Sequence, residues 1–146
     1  MINIKPICAH IRHCLEKISA QQPPECPDLF RDFPRGCCKI SSFLVMYYLA
    51  EFKGVPKNIM TLYANANIGS EKHAWVKYGD LHIDITGDQF GKPKLVIASD
   101  DPWPDSSPTR HPFDQERFNR IYEADLITIC KHIYSQESDP KTEIHK

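Results

Sequence analysis

The sequence lacks the features that identify membrane, secreted and nucleic-acid-binding proteins. None of its 146 residues lies in an apolar stretch long enough to cross a bilayer, and the N-terminus lacks the charged start and apolar run of a Sec signal peptide. The formal net charge of −1 creates no long-range field that favours nucleic acid or an anionic membrane. We therefore expect a protein that binds neither and that resides in the cytoplasm, or is exported without a Sec signal peptide.

The cysteine pattern argues against a disulfide framework and against a metal site. The six cysteines include no Cys-x-x-Cys pair of the kind that holds structural zinc. Cys8, Cys14 and Cys130 lie in apolar segments with helical spacing, where a free thiol packs like a small hydrophobic side chain. No signal peptide indicates an oxidising compartment. We predict neither a metal nor an organic cofactor, whereas a metal-binding scaffold would contain stoichiometric zinc.

Two helices and a long loop are predicted in the N-terminal part. Hydrophobic spacing predicts a helix over 4–19, and an almost continuously apolar run predicts a buried helix over 37–53 that ends at Gly54. The proline-rich segments 22–34 and 100–112 predict loops. With 41% hydrophobic and 25% charged residues, the composition is that of an ordinary globular protein.

Strands and a last helix are predicted in the C-terminal part. The predicted strands are 58–66, 72–78, 81–87 and 94–99. Residues 112–134 have helical spacing, with Asp114 or a neighbour as the N-cap, and the polar tail 135–146 is expected to fray. The order of helix, loop, helix, antiparallel sheet and helix predicts a single α+β domain over residues 1–146.

Gly79-Asp80 is a two-residue hairpin signal between two of these strands. With these residues as the turn, His73 and Asp84 become diagonal neighbours, roughly 7 Å apart between backbones. Because side chains alternate along a strand, the two faces of the hairpin differ in character. One face is nearly all apolar, with Ala74, Val76, Tyr78, Leu81, Ile83 and Ile85. The other carries the chemically active groups, with His73, Trp75, Lys77, His82, Asp84 and Thr86.

Two cysteines lie where a nucleophile is expected. Cys37 and Cys38 both occupy the predicted start of the buried helix, where the helix dipole and a nearby imidazolium favour the reactive thiolate. Helical periodicity does not choose between them, since the helix is apolar on all sides. A thiol at a helix start, with a histidine and an aspartate on neighbouring strands, is the equipment of covalent acyl transfer.

His73 is the predicted base, and Asp84 is predicted to orient it. Strands disfavour aspartate, so a carboxylate in this strand calls for a reason, and holding the imidazole supplies one. His82 on the same face is a competing base, but the register places it opposite Lys77, toward the turn. Asp88 is interpreted as a turn residue.

The oxyanion of an acyl-transfer reaction needs hydrogen-bond donors. The backbone N–H of Cys38 is available at a helix start. The side-chain amide of Gln89 is the most plausible further donor. Trp75 and Trp103 are interpreted as lining an acyl-binding groove or as closing the core.

Three sequence blocks resemble small bacterial transglutaminase-like, papain-like cysteine enzymes. These blocks are Phe-Pro-Arg-Gly-x-Cys-x-x-x-Ser (33–42), His-Ala-Trp-Val (73–76) and Ile-Asp-Ile-Thr-x-Asp-Gln-Phe (83–90). The resemblance covers about half the chain. It implies a papain-like α+β fold, with the nucleophile at the N-terminus of a buried helix packed on a small antiparallel sheet that carries His73 and Asp84. It also selects Cys38, two residues after the glycine, over Cys37. A small residue usually follows this cysteine in the family, where this chain has Lys39.

We interpret the chain as a cysteine-dependent enzyme that transfers acyl groups from amide bonds of a protein or peptide substrate, using Cys38, His73 and Asp84. The resemblance implies a peptidase, amidase, protein-glutamine deamidase or transglutaminase, and does not choose among them. One alternative is an arylamine-type acetyltransferase, which orders cysteine, histidine and aspartate in the same way. Another is a catalytically silent binding or immunity module with the same fold. Thiol reactivity distinguishes this module from an enzyme.

Overall fold

The computed structural model describes residues 2–113 and 122–137, which form an α+β arrangement of helices around one antiparallel sheet. This confirms the predicted class. The helices are α1 (Ile4–Gln21), α2 (Cys38–Lys53) and α3 (Glu123–Glu137). The strands are β1 (Met60–Ile68), β2 (Glu71–Tyr78), β3 (Leu81–Asp84), β4 (Val96–Ala98) and β5 (Thr109–Pro112), in the spatial order β4-β3-β2-β1-β5. No helix in the described ranges is long and apolar enough to cross a membrane.

Helix α2 is the centre of the hydrophobic core, as its apolar sequence predicts. Every residue from Ser41 to Leu49 is buried, and the helix packs against β1, β2 and α3. Its end is set by Gly54, whose φ of 69° lies in the left-handed region that glycine tolerates and whose N–H donates to the carbonyl of Leu49. The helix start at Cys38 therefore leads directly into a completely buried segment.

The β2–β3 hairpin has the predicted register. Val76 pairs with Ile83, Lys77 with His82 and Tyr78 with Leu81 across the Gly79-Asp80 turn. The predicted strand 81–87 is too long, because β3 ends at Asp84. There the carboxylate accepts the backbone N–H of Thr86, and this local bond turns the chain into a short 3₁₀ helix, Gly87–Phe90.

Both faces of the hairpin are buried. The predicted apolar face packs on α2 in the main core. The opposite face is covered as well, by a smaller aromatic cluster of Tyr63, Ala66, Trp75 and Trp103. Trp103 comes from the proline-rich segment that was predicted as a loop, so this segment closes over the polar face instead of leaving it open to solvent.

Several predicted boundaries were wrong. β5 lies inside the segment 100–112 that was predicted to be only loop; it pairs with β1 as an edge strand, where proline is tolerated. Helix α3 continues through Glu137, whose carboxylate lies 2.7 Å from Lys53 Nζ, so the first residues of the predicted frayed tail are helical. The predicted cap Asp114 lies outside the described residues, as do 138–146.

Candidate active site

The structure separates the two cysteines that helical periodicity could not distinguish. Cys37 is only 5% exposed, and its sulfur points toward the carbonyl oxygen of Leu29, 3.9 Å away. Burial, with smaller contributions from Asp32 and Cys38, raises the pKa of Cys37 to about 11. Cys38 is half-buried and is the first residue of α2. Cys37 is therefore a packed thiol, and Cys38 is the thiol at the helix start.

The first turn of α2 presents backbone donors beside Cys38. The N–H groups of a first helical turn have no intrahelical partner, and here no side chain caps them. Such a helix start favours an anion, either a thiolate or the oxyanion of a tetrahedral intermediate. The next residue, Lys39, is exposed. It therefore lies on the solvent side of the helix.

His73 on β2 is almost completely buried, with 1% exposure. Its Nε2 lies 2.7 Å from Asp84 Oδ2, and the rings of Trp75, Phe90 and Trp103 pack around it. Its Nδ1 is buried and has no hydrogen-bond partner among the described residues. Since Asp84 occupies Nε2, Nδ1 is the nitrogen left to exchange a proton with Cys38.

The environment of His73 favours the imidazolium. Burial lowers the pKa of His73, but hydrogen bonding and charge attraction from Asp84 and Cys38 outweigh it, so that the pKa is raised from 6.5 to about 9. Cys38 is therefore near enough to act on the ring, although the thiol and Nδ1 do not meet the usual limits for a hydrogen bond. Catalytic hydrogen bonds are often long in a free site and shorten when substrate binds.

Asp84 is held by four donors. Its Oδ2 accepts the Nε1–H of Trp103 at 2.9 Å in addition to His73. Its Oδ1 accepts the backbone N–H of Thr86 at 2.9 Å and, more weakly, the Thr86 hydroxyl at 3.4 Å. The carboxylate is 1% exposed. These donors keep the buried negative charge compensated and fix its direction toward His73.

His82, the competing base, is engaged elsewhere. Its Nδ1 accepts the Nε1–H of Trp75 at 3.0 Å, and burial lowers the pKa of His82. Burial therefore favours the neutral ring, which packs beside Tyr63. Trp75, which was interpreted as lining an acyl-binding groove or as closing the core, is fully buried and donates its indole N–H to His82, so a contact with substrate stays a prediction.

Gln89 lies next to the loop that precedes Cys38. Its Oε1 accepts the backbone N–H of Gly36 at 3.3 Å, and its Nε2 makes a long contact of 3.5 Å with the carbonyl of Thr86. It borders an open groove of about 630 Å³, whose walls include Pro34 and Arg35 from the same loop. Gln89 is thus bonded to the loop before Cys38, and its role as an oxyanion donor stays a prediction.

The sequence analysis did not identify the role of Arg12, a buried arginine that links α1 to the segment after β3 and to the loop before Cys38. Arg12 on α1 donates to both carboxylate oxygens of Asp88 at 2.9 Å and to the carbonyl of Ile85 at 2.8 Å. Its guanidinium also lies 4.7 Å above the ring centre of Phe33, in the loop before Cys38. Asp88 is thus an ion-pair partner and not merely a turn residue. The available signal was the position of Arg12 four residues after Cys8, within the apolar stripe of α1.

Comparisons with known proteins do not assign the site. No protein-family model matches the chain, and no match is found among curated proteins or solved structures. Across residues 2–113 and 122–137, no group of three or more histidine, cysteine or carboxylate side chains is arranged to hold a metal ion. A functional argument therefore rests on Cys38, His73 and Asp84 and on the side chains around them.

Proposed function

We propose that this protein is a cysteine-dependent acyl-transfer enzyme that acts on amide bonds, with Cys38 as nucleophile, His73 as proton carrier and Asp84 as its orienting group. The observation that carries the proposal is the difference in hydrogen bonding between the two ring nitrogens of His73. One ring nitrogen is fixed by a buried carboxylate, and the other is buried beside a half-buried thiol without a hydrogen bond to any described residue. A histidine kept only for stability is expected to have both nitrogens satisfied, since an unpaired buried polar group costs about 1–3 kcal/mol.

Acylation begins from a Cys38 thiolate and a His73 imidazolium. The sulfur attacks the carbonyl carbon of the substrate amide, a C–S bond forms, and the carbonyl electron pair moves onto oxygen. Backbone N–H groups at the start of α2 stabilise this oxyanion. The C–N bond then breaks while His73 Nδ1 gives its proton to the leaving nitrogen, which departs as an amine. Asp84 stays ionised and stabilises the imidazolium throughout.

Deacylation reverses these roles. Water, or a primary amine in its place, attacks the thioester while the now neutral His73 accepts its proton at Nδ1. The C–S bond breaks, the acyl product leaves, and the thiolate and imidazolium are restored. Every proton in this cycle is moved by one nitrogen, which agrees with a ring whose other nitrogen is permanently occupied by Asp84.

A protein or peptide is the substrate class that the surroundings favour. The groove beside the Cys38 loop is open and has charged walls of both signs, including Arg35 and Glu71. Such a surface suits an extended, polar polypeptide better than a small apolar acyl donor. The resemblance to transglutaminase-like enzymes points to the same class.

Thiol reactivity tests the proposal directly. Brief treatment with iodoacetamide near neutral pH, followed by peptide mapping, should label Cys38 at least about tenfold faster than any other cysteine, because only its thiolate is supported by an imidazolium. His73→Ala should remove this advantage. Cys37→Ala serves as the matched control and should leave Cys38 labelling unchanged, since that thiol points away from the site.

Trapping of the acyl group identifies the chemistry. After incubation with a mixture of peptides and an acid quench, intact-mass analysis should reveal an acyl adduct on wild-type protein and none on Cys38→Ala. The variant should keep the wild-type melting temperature, because one half-buried sulfur contributes little packing. Equal labelling of the two half-buried thiols, Cys26 and Cys38, would indicate a catalytically silent module with this fold, and unfolding of Cys38→Ala would make the thiol structural.

A further inference from the structure

We propose that Trp103 is a positioning residue of this site, which holds the Asp84 carboxylate in line with His73 and shields the pair from water. This inference rests on the proposed function, because it assigns Trp103 a role in the same proton transfer. The indole N–H of Trp103 donates to Asp84 Oδ2. It acts through Asp84.

The indole N–H of Trp103 donates to the same oxygen of Asp84 that contacts His73. Trp103 Nε1 donates to Asp84 Oδ2 at 2.9 Å, and this same oxygen lies 2.7 Å from His73 Nε2. Thr86 holds only the other oxygen, Oδ1. Without the indole, the carboxylate keeps one anchored oxygen, and the oxygen that faces His73 is free to move. An indole N–H is also a donor only, so it cannot compete with Asp84 for the His73 proton.

The ring closes the site. Trp103 is 7% exposed, and its centroid lies 5.1 Å from the ring of His73 and 5.7 Å from that of Phe90, both with edge-on geometry. Lys92 Nζ lies 5.0 Å from the ring centre. Exclusion of water lowers the local dielectric constant and strengthens the bond between the imidazolium and the carboxylate.

The loop that carries Trp103 is held in an unusual conformation. Trp103 N–H donates to Asp101 Oδ1 at 2.8 Å, and the carbonyl of Ser106 accepts the backbone N–H of Asn67 at 2.8 Å. Asp105 and Ser107 have φ values of 70° and 53°, in a region that non-glycine residues seldom adopt. The cost of this backbone is offset by contacts that deliver the indole to Asp84, as is common where strain is kept for function.

Trp75 provides a matched control within the same cluster. It is also a buried tryptophan whose indole N–H donates to a buried partner, but this partner is His82. Replacement of either tryptophan by phenylalanine removes one indole donor and similar volume from one aromatic cluster. Only Trp103→Phe removes a donor from Asp84. A purely structural role therefore predicts similar consequences for both variants, whereas a positioning role does not.

The experiment compares wild type, Trp103→Phe and Trp75→Phe by two measurements. In Trp103→Phe, the rate of Cys38 alkylation at neutral pH should fall about tenfold, and NMR titration should place the His73 pKa below its value of about 9, shifted toward 6.5. Trp75→Phe should change the rate by less than about twofold. In a His73→Ala background, Trp103→Phe should have no further effect on the rate.

Each outcome is decisive. A His73 pKa that is unchanged or raised in Trp103→Phe would overturn the proposal, because it would mean that the indole merely competes with His73 for Asp84. Equal effects of the two tryptophan variants would do the same. Should Trp103→Phe fail to fold, the Nε1–H resonance of Trp103 in the wild-type protein must shift more on titration of His73 than that of Trp75, because only Trp103 donates to the carboxylate that holds His73. Equal shifts of the two resonances would overturn the proposal. The NMR measurements need no activity, so a normal pKa response in a protein with an unreactive Cys38 would refute the proposed function alone.

Discussion

The β2–β3 hairpin carries one histidine toward each end of a single face, His73 far from the turn and His82 next to it. Both rings are buried beside the same aromatic cluster, and each has one hydrogen bond to a buried side chain. His73 is bonded to Asp84, whereas His82 accepts the indole N–H of Trp75. Yet the pKa of His73 is raised to about 9, while that of His82 is lowered. His73 has a carboxylate as partner, and His82 has only a neutral indole donor.

The contrast indicates what makes a buried histidine a proton carrier. Burial penalises the imidazolium, and at His82 it lowers the pKa, assisted by Lys77 and opposed by the weaker attraction of Asp101. A carboxylate that is itself compensated by other donors reverses this preference, as Asp84 does at His73. The predictions below test this difference, from the largest expected effect to the smallest.

Asp84→Asn should abolish the difference between the two histidines. The amide cannot stabilise an imidazolium, so the His73 pKa should fall below its present value of about 9 and turnover should drop by about 10⁴-fold, as expected for loss of an orienting aspartate. Alkylation kinetics of Cys38 and NMR titration would measure both effects. His82→Gln is the control and should change neither quantity. Wild-type reactivity in Asp84→Asn would place the orienting carboxylate elsewhere.

The stability of the protein should also depend on the ion pair between Arg12 on α1 and Asp88, which follows the hairpin. Asp88→Asn leaves the 5%-exposed Arg12 without its bidentate carboxylate, and we expect the free energy of unfolding to fall by about 2 kcal/mol, reduced from the fully buried case because Asp88 is partly exposed. Urea denaturation would measure the change.

The pair formed by Asp28 and Arg31 is a matched control for this prediction. Both of these side chains are exposed, so Asp28→Asn should change stability by less than about 1 kcal/mol. If Asp88→Asn and Asp28→Asn had equal effects, Arg12 would be adequately held by Glu16 and the carbonyl of Ile85 alone.

The two histidines should contribute to stability in opposite pH ranges. The folded-state pKa of His73 is raised, so its contribution is fully present below about 6.5 and is lost as the pH rises through about 9. The folded-state pKa of His82 is lowered, so its penalty develops below 6.5, where the unfolded chain binds more protons.

Unfolding free energies measured from pH 5 to pH 10 would reveal both effects. Subtraction of the His73→Asn curve should isolate the alkaline loss, and subtraction of the His82→Asn curve the acidic one. A loss of the same sign in the same pH range from both variants would show that the two sites do not differ in the way proposed.

The hairpin was predictable because the information that defines it is local. The Gly79-Asp80 turn and the alternation of side chains fix the register, and this register brings His73 and Asp84 together at 2.7 Å. The buried α2 and its Gly54 end were likewise readable from a continuous apolar run. Strand β5 was missed because the prolines of the segment 100–112 are typical of a loop, and the strand forms only where the edge of β1 gives it a partner.

By itself, then, the sequence determined the α+β order, the register of the hairpin and the shared face of His73 and Asp84, since these follow from local spacing. It also placed two cysteines, Cys37 and Cys38, at the helix start, between which spacing did not choose. Only the tertiary structure decided that Cys37 is packed away and that Trp103 and Arg12 hold the segments around Asp84. Trp103 lies 19 residues from Asp84 in sequence, and Arg12 lies 76 residues from Asp88. Spacing shows which face a residue occupies, whereas its partner on that face is chosen when distant segments pack together.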